Sequence, residues 1–485
     1  MLIVISDTHF SDGTAGDHNL PQNAFSNVFN NDIISLIKQE KPTEVTLLLL
    51  GDIFDLLRTR KWFEYPKRAE FPVDDRPWGK NGLRDVETFA NAEADLMASP
   101  KTTTEQRCLD ILGQMSSKGV NGHKEPTILG KNWESLEYIR NFPAIVNEEC
   151  KKNDLQVAAI VKYIPGNHDR MINLYPSLAA EVKKILGIQG MDGKWFEYDH
   201  YDPEYKVFAR HGHEFDVNNY GNDKEDYTRK GQIQVSIGDP LTTEFVTRLP
   251  WEASKLTQQD TALQDRLVRQ LEDLDNLRPL SLAVEYIYNK VRMNHEVPER
   301  EALDAAFDSM AKNFLNLEFL KHWNNKKSWY DEAAKVATFF GIKSMVGAAL
   351  TSFSPEYFLK LFMSLGDSGD SAMEPAAFND CHARKNDKYA EYIVYGHTHT
   401  PLQKPLDHIN VGGEERGVQY INTGTWRERI EKTSNLDKTP DFMKMKQMTY
   451  LVFYTDNNTE QKRMELWSGI RRGTPEKQSP RTIAN

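Results

Sequence analysis

The chain is poor in cysteine, in excess positive charge and in long apolar runs. Only three of its 485 residues are cysteine, Cys108, Cys150 and Cys381. They stand far apart with no paired spacing, which argues against a disulfide framework or a thiolate metal site and fits a reducing compartment. The formal net charge is −11. Nothing in that balance draws the molecule to a polyanion, so nucleic acid is a disfavoured partner, although a local basic groove is compatible with it. The longest clear apolar run, Val45 to Leu50, has the length of a buried strand and not of a membrane span. The first apolar stretch, Leu2 to Ile5, begins at once with no signal-peptide pattern before it, and the expected location is the cytoplasm.

What is present is an ordinary globular composition, 39% apolar, enough for a buried core. The length allows two or three domains, or one with large insertions. Phe25, Val28, Phe29, Ile33, Leu36 and Ile37 recur at helical spacing before Lys41-Pro42. Further strands are expected at 158–163, 195–198, 206–210, 392–395, 419–422, 449–454 and 464–467. Helices alternate with strands early and strands follow in series late, which predicts an α/β fold with two sheets.

Two segments do not fit a minimal core. The first opens irregularly between Trp62 and Trp78 and continues with helical patterns near 105–117 and 133–150. The second is helical almost throughout. Leu263, Leu267, Leu271 and Leu274 share one face, and Leu303, Phe307, Met310, Phe314 and Leu317 form a seam. The apolar stretch 344–365 reads as a buried helical hairpin or, alternatively, as a lipid-contacting clamp. The polar tail, 471–485, is expected to be disordered.

Five polar clusters punctuate this pattern: Asp7-Thr8-His9, Gly51-Asp52-Ile53-Phe54-Asp55, Gly166-Asn167-His168-Asp169, His211-Gly212-His213 and Gly396-His397-Thr398-His399. Four follow a short apolar run directly. Residues i and i+2 of a strand share a face, which would aim Asp7 and His9 at one ion. The set offers carboxylate, imidazole and amide donors and no thiolate, a mixture suited to Mn, Fe or Zn. Singly, each cluster has a plainer reading as a turn or helix cap. Two imidazoles beside a glycine in the last have little structural use.

In order and residue type, the clusters resemble the calcineurin-like metallophosphoesterase family, with Asn422-Thr423-Gly424-Thr425-Trp426 following as that family's sheet would place it. The resemblance implies a four-layer α/β/β/α sandwich of two mixed sheets flanked by helices. The core would comprise 1–60, 153–215 and 390–470, with a first insertion at 61–152 and a helical, cap-like insertion at 216–389. It implies two divalent metal ions: Asp7, His9 and His399 would hold one, Asn167, His211 and His397 the other, and Asp52 would bridge them. A hydroxide shared by the pair would attack phosphorus in line with the leaving oxygen. His168 would face that oxygen as proton donor, oriented by Asp55. His213 would line the pocket.

Arg58, in the loose basic stretch Arg58, Arg60, Lys61, Lys67 and Arg68, is a candidate for binding an anionic substrate; a solvated surface is the plainer reading. The implied activity is hydrolysis of a phosphodiester or pyrophosphate bond in a small molecule. Leu56 follows Asp55 where protein phosphatases of the family carry Arg, which disfavours a protein substrate. A nuclease of the SbcD/Mre11 type and a non-catalytic binding scaffold on the same fold are the alternatives. His18, His123, His200, His295, His322, His382 and His408 sit outside any ligand spacing, and Cys381-His382 reads as surface or packing.

Overall fold

The computed structural model describes residues 1–16, 20–64, 70–90, 100–115, 126–189, 195–221, 226–256, 261–278, 282–287, 368–383, 389–434 and 441–469, with scattered positions between 301 and 319. The 344–365 stretch, the polar tail, Phe307, Lys67, Arg68 and the histidines at 18, 123, 295 and 322 lie outside the described residues.

Among the described residues, twelve strands form two five-stranded mixed sheets and a two-stranded ribbon. The first sheet contains β1 (Leu2–Ile5), β2 (Glu44–Leu50), β3 (Ala158–Ile164), β11 (Met448–Thr455) and β12 (Lys462–Gly469), in the order β12-β11-β1-β2-β3. β1, β2 and β3 run parallel, and β11 pairs antiparallel with β1. The second sheet contains β4 (Asp199–Asp202), β5 (Val207–Arg210), β6 (Tyr392–Tyr395), β7 (Leu402–Val411) and β8 (Glu414–Asn422), ordered β4-β5-β6-β8-β7, with β5, β6 and β8 parallel. The ribbon pairs β9 (Glu428–Lys432) with β10 (Phe442–Lys446).

The apolar runs of β1 and β2 have both faces covered, as continuous hydrophobic strands require. Ile3, Ile5, Leu47 and Leu49 join a core cluster with Phe25, Phe29 and Phe142 from helical segments. The alternate positions, Leu2, Val4, Leu48 and Leu50, join Val207, Ala209, Val394 and Ile421 of the second sheet. The opposite face of that sheet, through Phe208, Ile393 and Tyr395, meets Met373, Ala377 and Cys381 of the Ser368–Ala383 helix. Among the described residues, no helix is long and apolar enough to cross a membrane.

The helix expected before Lys41 is present and carries an unforeseen π turn at Phe29–Ile33; it ends where Lys41 turns left-handed, φ 50°. The expected helix 133–150 is found at Trp133–Lys151, while the one near 105–117 ends at Leu112. The strand expected at 195–198 is absent, and the strand there is β4, one step later. The Phe196 amide donates to Asn173 Oδ1 at 2.9 Å, and its carbonyl accepts from Asn173 Nδ2 at 2.8 Å, so one asparagine replaces the ladder. β7 was not anticipated, because its sequence is polar and contains Pro405. It is an edge strand with a register shift at Pro405, where a missing amide costs nothing.

The direction of the parallel strands matters most for chemistry. β1, β2, β3, β5 and β6 end immediately before the five polar clusters. Carboxyl ends of parallel strands lie on one side of their sheet, where open α/β folds bind ligands.

Candidate metal centre

The loops after β1 and β2 are joined by backbone hydrogen bonds. The amides of Asp7, His9 and Phe10 donate to the carbonyls of Gly51, Asp52 and Ile53 at 3.0, 2.9 and 2.9 Å. Asp169 ties in the third cluster: Oδ1 accepts from the Gly166 amide at 2.5 Å and Oδ2 from the Ile53 amide at 2.9 Å. The 422–426 turn holds the first cluster from below, with Thr425 Oγ1 donating to the Asp7 carbonyl at 2.7 Å and Trp426 buried against Phe25.

Contrary to the expectation, strand alternation does not aim Asp7 and His9. β1 stops at Ile5, and both residues stand in the loop with φ of 52° and 45°. Asp52, His397 and His399 share that conformation, at 51°, 71° and 63°. Five of the nine described non-glycine residues with positive φ are thus expected ligands. Left-handed backbone at such residues is held by the surroundings and marks a site where side-chain direction outweighs comfort.

Each central carboxylate is anchored by one oxygen and presents the other. Asp52 Oδ1 accepts from the His168 amide at 2.8 Å, and Asp7 Oδ2 from the His397 amide at 3.1 Å. Asp52 Oδ2 and Asp7 Oδ1 are buried without a hydrogen-bond partner, as are Asn167 Oδ1 and His211 Nε2. These orphaned atoms face a common space. His211 Nε2 lies 3.3 Å from Asp52 Oδ2, and His9 Nε2 lies 3.7 Å from it and 3.8 Å from Asp7 Oδ1. Three groups each gather candidate ligand atoms within 4.8 Å: Asp7, His9 and His399; His9, Asp52 and His168; Asp52, His211 and His397.

Outer partners set which imidazole nitrogen points inward. His211 Nδ1 donates to the Leu50 carbonyl at 2.9 Å, aiming Nε2 at Asp52. His397 Nε2 is 3.0 Å from Asp216 Oδ2, leaving Nδ1 for the site. Asn219 Nδ2 donates to Asp216 at 2.7 Å, while Asn219 Oδ1 takes the Asn167 amide at 3.2 Å and so turns Asn167 Oδ1 inward. Asp55 divides its oxygens between His168 Nδ1 at 3.1 Å, as expected, and His9 Nδ1 at 3.2 Å, which was not. His399 is held differently. Arg278 Nη2 donates to its Nδ1 at 2.8 Å, so Nε2 carries the ring proton toward His9 Nε2 at 2.9 Å.

Electrostatics follow these contacts. Burial lowers His9 to about 4, leaving a neutral imidazole suited to ligation. Burial also opposes charge on His211, but Asp52 outweighs it and raises the group to about 10. Burial raises Asp7 to about 6. On His168, burial is again outweighed, by Asp55 and then Asp52, and the imidazolium is raised to about 9. Proton-laden donors around orphaned oxygens are what a cation replaces on binding.

The donor set therefore fits divalent cations. The Asp52, His211, His397 and Asn167 group needs only loss of the His211 proton. The Asp7, His9 and His399 group also needs Arg278 to release His399 Nδ1. Buried His/Asp clusters could thus hold metal.

His213 is buried beside the second group, its ring centroid 5.4 Å from that of His211. Arg58 is buried too and ion-pairs with Asp275; burial and neighbouring Arg427 lower it to about 10, so it stays charged at neutral pH. His382, in the Ser368–Ala383 helix, pairs with Asp407 at 2.8 Å, away from this centre. Asp216 and Arg278 were missed by sequence reasoning. Asp216 sits five positions after His211, where a carboxylate near a histidine pair was a readable signal; Arg278 had none.

No protein-family model, curated protein or solved structure matches the chain.

Proposed function

We propose that this chain is a calcineurin-like metallophosphoesterase that hydrolyses a phosphodiester or pyrophosphate bond in a small molecule. The observation carrying this reading is the convergence of the five clusters, with Asp7 Oδ1, Asp52 Oδ2, Asn167 Oδ1 and His211 Nε2 buried and unpartnered around one space. Asp7, His9 and His399 would hold one divalent cation (Mn, Fe or Zn), Asn167, His211 and His397 a second, and Asp52 would lie between them. When bound, such a pair supplies an activated water and neutralises charge on the phosphoryl oxygens.

The remaining work falls to the chain. Asp55 on His168 Nδ1 fixes the ring and leaves Nε2 to donate to a leaving oxygen, with the imidazolium favoured by Asp55 and Asp52. The α/β/β/α layering is part of the same reading, supported by the two sheets sharing one apolar cluster while helices cover their outer faces. The segments 61–152 and 216–389 are read as insertions that choose the substrate, in a protein of the cytoplasm.

A screen of Mn²⁺-loaded protein against a chromogenic diester, nucleotides, cyclic nucleotides, lipid pyrophosphates and DNA tests this. Metal-dependent turnover of a small phosphodiester or pyrophosphate is expected. Metal binding without turnover of any substrate would favour a scaffold, and turnover of DNA alone a nuclease.

A further inference from the structure

Beside the metal centre, three arginines surround one carboxylate. Arg58 follows the second cluster, Arg427 closes the 422–427 turn, and Arg278 comes from the turn after Asp273–Asn276. That turn is fixed to β9, where the Arg278 amide donates to the Ile430 carbonyl at 2.9 Å. Asp275 Oδ2 takes Arg427 Nη2 at 2.5 Å and also ion-pairs with Arg58. Arg278 Nη1 donates to the Asp275 and Leu277 carbonyls at 2.9 and 2.7 Å.

Nearby charges are matched elsewhere. Arg60 pairs with Glu272 at 3.1 Å, Arg429 with Glu431, and Lys444 with Asp273 at 2.7 Å. Asp55 is taken by His9 and His168. Among the described residues, Arg58 and Arg427 thus share the Asp275 carboxylate while Arg278 binds its carbonyl, and Arg58 and Arg427 are only 3% and 2% exposed. Arg427 Nε and Nη1 are buried with no hydrogen-bond partner among the described residues. Buried positive charge in surplus, with donors unspent, is expensive to hold, and guanidinium forks match phosphate oxygens.

We propose that Arg58, Arg278 and Arg427 form an anion subsite that holds a second phosphoryl group of the substrate, next to the one attacked. The natural substrate would then be pyrophosphate-linked. The subsite lies beside His399, which Arg278 touches, and near His168, which Asp275 reaches electrostatically, so it is on the leaving-group side. Water oxygen bonds to the first phosphorus. The bridging P–O bond breaks, and its electron pair and oxygen leave on the second phosphoryl group, which takes a proton from His168 while the arginines hold its remaining charge; one water proton stays on the new P–OH and the other, by way of solvent, restores His168. The substrate assignment rests on the hydrolase reading, whereas the anion subsite does not.

Calorimetric titration of the metal-stripped protein with inorganic pyrophosphate tests the subsite directly. The wild type should bind, Arg427→Gln should bind roughly tenfold or more weakly, and Asp275→Asn, which removes the internal competitor, should bind more tightly. No binding by the wild type, or unchanged affinity in a folded Arg427→Gln, overturns the subsite; Arg58→Gln serves if Arg427→Gln does not fold. With Mn²⁺ loaded, the loss of kcat/KM in Arg427→Gln on a pyrophosphate-linked nucleotide should exceed its loss on a chromogenic diester by roughly tenfold, mainly through KM. Equal losses overturn the substrate assignment. Absence of any wild-type turnover defeats the hydrolase reading and leaves the titration to decide the subsite.

Discussion

Asp55 serves two histidines at once, and the division of its oxygens separates two roles. On the proposed reading it supports a ligand through His9 and, through His168, a proton donor that has no lone pair to give once its imidazolium forms. Metal analysis should therefore divide the variants. Asp52→Asn and His397→Asn should lose bound metal together with turnover. His168→Gln should keep its metal and lose about two to four orders of magnitude in kcat, the usual contribution of a general acid. Full occupancy in Asp52→Asn would refute the ligand assignment. The candidate ligands were readable because each lies within a short cluster whose neighbours repeat its chemistry. Arg278 was not, because its partner lies far off in sequence: Arg278 and His399 are 121 positions apart. A contact of that separation leaves no periodicity and no spacing to read.

At the scale of elements, the clusters are turns that only small residues let close. A Cβ on Gly166 would stand 2.7 Å from both the Asp52 amide nitrogen and His211 Cδ2, so the third cluster approaches the second only without a side chain there. Gly166→Ala should separate the two turns, lowering stability by roughly 1–3 kcal/mol in denaturant titrations and abolishing metal retention on dialysis. Wild-type metal affinity in that variant would contradict the close packing. The buried strands were legible for the opposite reason. β1 and β2 carry apolar runs that only a covered sheet explains, whereas β4 and β7 are edge strands whose polar alternation resembles a loop. Trp195–Tyr198 misled because its aromatic residues pack as a bulky plug, Phe196 against Tyr163, and not as a ladder.

Across the whole molecule, the segment 70–78 is tied to 244–252 by buried charge. Glu244 accepts from Arg76 at 2.5 Å, Trp78 Nε1 at 2.8 Å and Arg248 at 3.0 Å. Glu244→Ala leaves two arginines and an indole short of their acceptor and should cost about 3–5 kcal/mol, measured by urea unfolding. A loss below about 1 kcal/mol would mean that this link is solvated. A second global property is acid sensitivity. Burial, then Lys162, lowers His200 to about 4 from its ordinary 6.5. The unfolded chain takes up that proton first, so the His200 contribution is complete above pH 6.5 and is lost as pH falls toward 4. Between pH 7.5 and 5 the wild type should lose about 1–2 kcal/mol more than His200→Gln does. Equal losses would show that His200 is solvated in the fold.

The five left-handed backbone positions carry a last implication, about what they cost the fold. Glycine or asparagine would occupy φ near +50° to +70° at less cost than histidine does. Burying acids and imidazoles together adds desolvation to that burden. A chain shaped by thermal endurance alone would drift away from such residues at those turns. That Asp7, His9, Asp52, His397 and His399 occupy them together means the fold holds these side chains in place at some expense to its own robustness.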